Sequence, residues 1–154
     1  MFTTPVLYDT KSICEACNIP FDRLERWLLI VYHNYNNVPF HFFDHAFMVT
    51  QMLFYIIKTT QLYTIISAHD IFAILFSALT HDLDHPGFSN SFQIASKSKL
   101  SQIYNDVSPL ENHHCCIALS LIREDDRINL ISNFTTEQQK RFRKIVISSA
   151  SHDA

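Results

Sequence analysis

Gly87 is the only glycine in 154 residues. That constrains the fold more than any other feature. Tight hairpins and phosphate-cradling loops draw heavily on glycine, because it reaches positive φ without steric cost. A chain with one glycine is poorly supplied for a sheet protein and well supplied for helices. The hydrophobic share of 47%, of which aromatics make 13% of the chain, excludes a disordered polypeptide. The length suffices for one domain with a core.

The helical period is visible from Phe21. Leu24, Trp27, Leu28, Val31 and Tyr35 recur on one face, and Asn36, Asn37 and Pro39 interrupt the pattern. A second helix is predicted over about 44–59. It is apolar on nearly all sides and is therefore expected to be central. A third is predicted from Ser67, with Asp70 in a capping arrangement, through IFAILFSALT into His81 and Asp82, and stopped by Pro86 and Gly87. Ser108-Pro109-Leu110-Glu111 reads as a helix start with Pro109 at the first position, reaching about Arg123. A last helix runs from Thr135 or Thr136 toward Ala150. The class is all-α. Residues 1–17 are weakly patterned, and 18–154 read as a single domain unit.

Other functions are excluded in turn. The net charge of −3 gives no electrostatic footprint for nucleic acid. The apolar stretches are shorter than the roughly 20 residues a bilayer requires, so no membrane span is expected. No signal-peptide pattern opens the sequence. Cys14 and Cys17 form a C-x-x-C without a well-spaced second pair, since Cys115 and Cys116 are adjacent. Buried thiols in a reducing, cytoplasmic setting are expected. Neither G-x-S-x-G nor H-E-x-x-H occurs.

Nine histidines carry the chemistry. In His81-Asp82-x-x-His85, helical spacing puts His81 and His85 on one face with Asp82 beside them. Imidazole suits zinc, and carboxylate suits zinc or harder magnesium and manganese, so an aspartate bridging two unlike ions is expected. His41-x-x-x-His45 has the same spacing and reads either as ligands and proton donors or as two histidines covering an apolar surface. Glu111 either closes a capping box at its helix start or steadies metal-bound water.

Taken together, the segments NNVPFHFFDHAF, HDLDHPGFSNSFQI and YNDVSPLENHHC resemble the class I 3′,5′-cyclic-nucleotide phosphodiesterases. The wording is most similar to the cGMP-selective type-nine branch. The resemblance covers about residues 18–154 and implies the multi-helical, HD-like catalytic fold. It implies two divalent ions, Zn2+ and Mg2+ or Mn2+. His41 falls on the proton donor to the leaving 3′ oxygen. His45, His81 and Asp82 fall on metal ligands. His85, Asn90 and Glu111 fall on residues that organise the second ion's waters and the phosphate. The implied reaction is hydrolysis of cGMP, with cAMP as the alternative substrate, to the 5′ monophosphate in signal transduction.

The pattern departs from the family at four places. Phe40 replaces the usual tyrosine, Phe42 replaces asparagine, and His152 replaces threonine in the A-T-D-M segment, where Asp153 matches the aspartate. The stop at Ala154 leaves out the fourth zinc ligand and the purine-reading residues of the family, so exposed apolar surface and weakened base recognition are expected. Two other readings follow: a non-catalytic partner or decoy of a full-length enzyme, and an H-D-type phosphohydrolase of nucleoside monophosphates. Association with a second copy, and membrane attachment through regions outside this chain, stay open.

Overall fold

The computed structural model describes residues 11–150. After a helical stretch over 11–16, seven α-helices follow: α1 (Phe21–His33), α2 (Phe43–Thr59), α3 (Ala68–Thr80), α4 (Asn90–Ala95), α5 (Lys99–Ile103), α6 (Pro109–Glu124) and α7 (Thr136–Ala150). A 3-10 turn, Leu62–Thr64, links α2 to α3. The described residues contain no strand. The all-α expectation holds, and none of the described helices is long and apolar enough to cross a membrane.

The central helix is α3, not α2. Nine of its residues are buried, from Asp70 to Thr80, and it packs between α2 and α7. The apolar wrap of α2 suggested the opposite. Only Ala46, Phe54 and Ile57 of α2 are buried, whereas Met48, Met52 and Tyr55 are each more than 60% exposed. These three recur at helical spacing, so they form a continuous apolar stripe on the outer face. An all-round apolar pattern records what a helix can bury, and nothing among the described residues covers this side.

Aromatic rings fill the core. Trp27 of α1 stacks on Phe76 of α3 with centroids 4.9 Å apart. Phe142 of α7 meets Phe72 at 5.8 Å and Phe76 edge-on at 5.0 Å. Cys14 and Cys17 are buried here, and burial pushes their thiols up to about 11 and about 12. The expectation of buried thiols fails for Cys116, which is exposed.

The start of α3 follows the sequence reading. The Asp70 backbone N–H donates to Ser67 Oγ at 3.2 Å. The Asp70 carboxylate then accepts two bonds from Arg141 of α7, from Nε at 2.6 Å and Nη2 at 2.8 Å. This fork ties the central helix to the last one.

Two measurements check this packing. Phe142→Ala should lower unfolding free energy in urea by about 3–5 kcal/mol, while Met52→Ala should change it by less than about 0.5 kcal/mol. The Arg141 hydrogen bonds hold the folded Asp70 carboxyl below its ordinary value of 3.8. The stability it contributes is therefore complete above the unfolded value and fades as pH falls through the folded one. Asp70→Asn should be destabilising at pH 7, and its gap from wild type should close as pH drops below about 4.

Candidate metal centre

Two breaks in the helices build the centre. The first lies ahead of α2. Phe40 adopts φ +67°, and the His41 N–H donates to Pro39 O at 2.9 Å. Phe42 is the extended N-cap, and the helix begins at Phe43. His45 thus sits in the first turn of α2 and His41 sits before it. The shared helical face expected of His41 and His45 does not form, because the left-handed Phe40 and extended Phe42 redirect the chain.

The second break follows α3. The helix ends at Thr80, so His81 and Asp82 lie in a run of turns instead of on the helix. The stop comes before Pro86. Asp84 at φ +58° turns the chain, and its N–H donates to Asn34 O at 3.1 Å. Asn36 Nδ2 donates to Asp84 Oδ1 at 2.9 Å and to His85 O at 3.1 Å. From α6, His113 Nε2–H donates to Asp84 Oδ2 at 2.8 Å, and His114 Nδ1–H to Leu83 O at 2.6 Å. Leu83 itself is fully buried. Gly87 closes the turn at φ +81°, where a Cβ would stand 3.3 Å from Val38 Cγ1.

These breaks bring His45, His81 and Asp82 together, with one donor atom of each within 4.8 Å of the others. Among the described residues this is the one group of three such donors close enough to share an ion. His81 Nε2 lies 3.0 Å from Asp82 Oδ2, and His45 Nε2 lies 3.8 Å from the same oxygen. Two ligands held 2.0–2.1 Å from a tetrahedral ion are about 3.3 Å apart, between those two values. His81 Nδ1–H donates to Ala78 O at 2.9 Å. That bond makes Nδ1 a donor and turns Nε2 toward the carboxylate, where the protonated ring donates to Asp82 and the deprotonated ring would offer its lone pair to an ion. The donor set of two imidazoles and one carboxylate fits zinc or a similar transition ion.

Electrostatics around Asp82 agree with this. Burial pushes its carboxyl up, but the His81 hydrogen bond and the His81, His41 and His114 imidazoles outweigh that and hold it below the usual range. Burial pushes His81 down, and the bond to Asp82, the charge of Asp82 and the Ala78 carbonyl more than reverse it. Asp82 therefore stays ionised at neutral pH, ready to hold a cation.

His85 does not join this group. It is 5% exposed, and its ring stacks on His41 at 3.9 Å with an interplanar angle of 6°. Asn90 and Glu111 form a pair of their own: Asn90 Nδ2 donates to both carboxylate oxygens, at 3.0 and 2.8 Å. Asn90 Oδ1 meanwhile accepts from Leu110 N–H at 3.0 Å. The capping box expected at Ser108 and Glu111 is thereby corrected. Ser108 is left-handed at φ +39° and makes no cap bond. A residue 20 positions earlier caps α6 instead and takes up Glu111 as well. The charge of Glu111 acts on His85, which links this pair to the rest of the centre. His152 and Asp153 lie outside the described residues.

The sequence reading gave Asp84, His113 and His114 no role of their own, and gave Asn36 one only as part of a helix break. The signal for them was present: a second aspartate inside H-D-x-D-H, and two histidines one position apart just after Glu111.

The model of the 3′5′-cyclic nucleotide phosphodiesterase family matches residues 40–151. The high affinity cGMP-specific 3′,5′-cyclic phosphodiesterase 9A of Homo sapiens is 42% identical over 142 residues, 92% of this chain and 24% of that protein. The cGMP-specific 3′,5′-cGMP phosphodiesterase 3 of Dictyostelium discoideum is 37% identical over 89% of this chain and 29% of its own length. Among solved structures, the phosphodiesterase domain of the RhoPDE fusion protein from Salpingoeca rosetta superposes with a TM-score of 0.84 at 35% identity, over 91% of this chain and 44% of that one. The chain thus spans less than a third of these two curated relatives and less than half of that solved domain.

The turn gives a direct check. Gly87→Ala forces an alanine into the left-handed region and its methyl against Val38. It should cost about 1–2 kcal/mol of stability, read from urea unfolding, whereas Ser91→Ala, at an exposed site in the first turn of α4, should cost less than about 0.5 kcal/mol.

Proposed function

This chain belongs to the 3′,5′-cyclic nucleotide phosphodiesterase family, and from that premise we propose that its centre takes part in metal-dependent hydrolysis of a 3′,5′-cyclic nucleotide, cGMP ahead of cAMP, to the 5′ monophosphate. The observation that carries this reading is the convergence of His45, His81 and Asp82 from two separate segments, with the His41 charge acting on the same carboxylate.

His45, His81 and Asp82 would hold the zinc-type ion, and Asp82 would also serve a second ion, magnesium or manganese. When bound, such ions polarise phosphoryl oxygens and acidify water, which supplies the nucleophile. The protein's own residues do the remainder. His41 Nδ1 is 3.2 Å from Pro39 O, so Nδ1 carries a proton toward that carbonyl and Nε2 is the nitrogen available to protonate the leaving 3′ oxygen. Glu111, held at both oxygens by Asn90, offers a fixed acceptor for water next to His85. The buried imidazole of His85 completes the wall against which the phosphate rests. No covalent enzyme intermediate is required.

The cGMP preference rests on the relatives' substrates. The exposed stripe of Met48, Met52 and Tyr55 favours a second reading, in which the chain works as a partner of a longer phosphodiesterase and contributes no turnover alone.

The purified chain should convert cGMP to 5′-GMP in the presence of Zn2+ with Mg2+ or Mn2+, with a higher kcat/KM than for cAMP. His81→Ala should abolish that turnover and weaken zinc binding at least tenfold by competition with a chelator, as expected when a direct ligand is lost. Zinc bound at wild-type affinity with no hydrolysis of either nucleotide would leave the partner reading standing instead.

A further inference from the structure

Hydrogen bonding restrains the His41 ring only lightly. Its ring makes one hydrogen bond, to a carbonyl two residues back, at 3.2 Å. Its neighbours Phe40 and Phe42 are 79% and 40% exposed and offer no polar handle. One bond fixes an axis and leaves the ring plane open. The plane is set by something else: a column of imidazoles. His41 lies parallel to His85 at 3.9 Å and 6°, and His85 lies over His114 at 5.4 Å and 20°.

We propose that His85 and His114 are positioning residues, whose stacked rings set the plane of His41 and hold it at the centre. The inference rests on the proton-donor role given to His41 above. Both inner rings are pinned at a ring nitrogen by backbone. The Gly87 N–H donates to His85 Nδ1 at 3.0 Å, and His114 Nδ1–H donates to Leu83 O at 2.6 Å. Both are almost completely buried, at 5% and 3% exposed. The two anchors come from the same turn that carries His81 and Asp82, so the column and the metal ligands share one frame. The inner rings are also suited to face a cation. Burial, then the charge of His41, pushes His85 down, and burial pushes His114 down to about 4. His41 rests on the face of a buried ring.

The test needs neither turnover nor metal. In the purified chain with 13C,15N-labelled histidine, the His41 ring C–H protons, assigned with His41→Gln, should resonate upfield of those of exposed His33, because the His85 ring lies against their face. His85→Leu, which fills the buried site without a ring, should move them downfield to the His33 position. His85→Phe should restore most of the upfield shift, and His114→Ala should remove part of it. His41 signals unchanged in His85→Leu, or equal in His85→Leu and His85→Phe, would overturn the proposal. A backbone amide spectrum of each variant shows that it is folded. Failure of the chain to hydrolyse cGMP or cAMP would remove the catalytic reading and leave the ring signals to decide the stacking on their own.

Discussion

The rest of the centre depends on one turn, His81 to Gly87. In seven residues the chain leaves α3, passes through two left-handed conformations at Asp84 and Gly87, and enters the approach to α4. Such a turn satisfies only part of its own backbone, and it lies against the core, where Leu83 is fully buried. Partners therefore come from outside: Asn34 and Asn36 after α1, His113 and His114 on α6. Leaving one such buried group unpaired costs about 1–3 kcal/mol. The partners also restrict one another, so the network holds as a unit. The same turn carries His81 and Asp82, whose donor atoms gather with that of His45.

Much of this was legible in the sequence, and the limits have physical causes. The helices showed through their period and their caps: Leu24, Trp27 and Val31 are all buried on α1, and Ser67 does cap α3. The family resemblance implied His45, His81 and Asp82 as ligands, and the fold brings their donor atoms together. The reasoning about shared helical faces was less sound. His41 lies outside α2, and His81, Asp82 and His85 lie beyond the end of α3. Residues that converge on one point do so here because the helices break, and breaks depend on positive φ at Phe40, whose type gives no such signal, and at Asp84, whose type gives only a weak one.

Capping gives a second example. Ser108-Pro109-Leu110-Glu111 has the composition of a helix start, and a helix does start there. The group that satisfies Leu110 N–H is Asn90, far away in sequence. Local pattern reports that an orphan donor exists; it does not report which acceptor meets it. The long-range solution has a consequence that a local one would lack. By drawing Asn90 to the start of α6, the fold also holds the Glu111 carboxylate at both oxygens, so one amide serves helix and carboxylate alike. The exposure of α2 has the same origin. Hydrophobicity all around a helix is a local property, and burial depends on what packs against it.

The end of α3 explains why the ligands gather where they do. The last turn of any helix leaves carbonyl oxygens without intrahelical donors, and its dipole places partial negative charge there. His81 uses one of them: Ala78 O accepts its Nδ1–H. The helix end thereby supplies the acceptor that fixes the tautomer, and its field adds to that of Asp82 in favouring a cation. The next imidazole in the turn, His85, is held in the opposite tautomer, because a backbone N–H, from Gly87, meets its Nδ1. Two histidines four residues apart thus have opposite Nδ1 roles, a donor in His81, whose Nε2 faces Asp82, and an acceptor in His85. The backbone around a single turn, more than the histidines themselves, decides which of them can bind a metal and which can only support its neighbour.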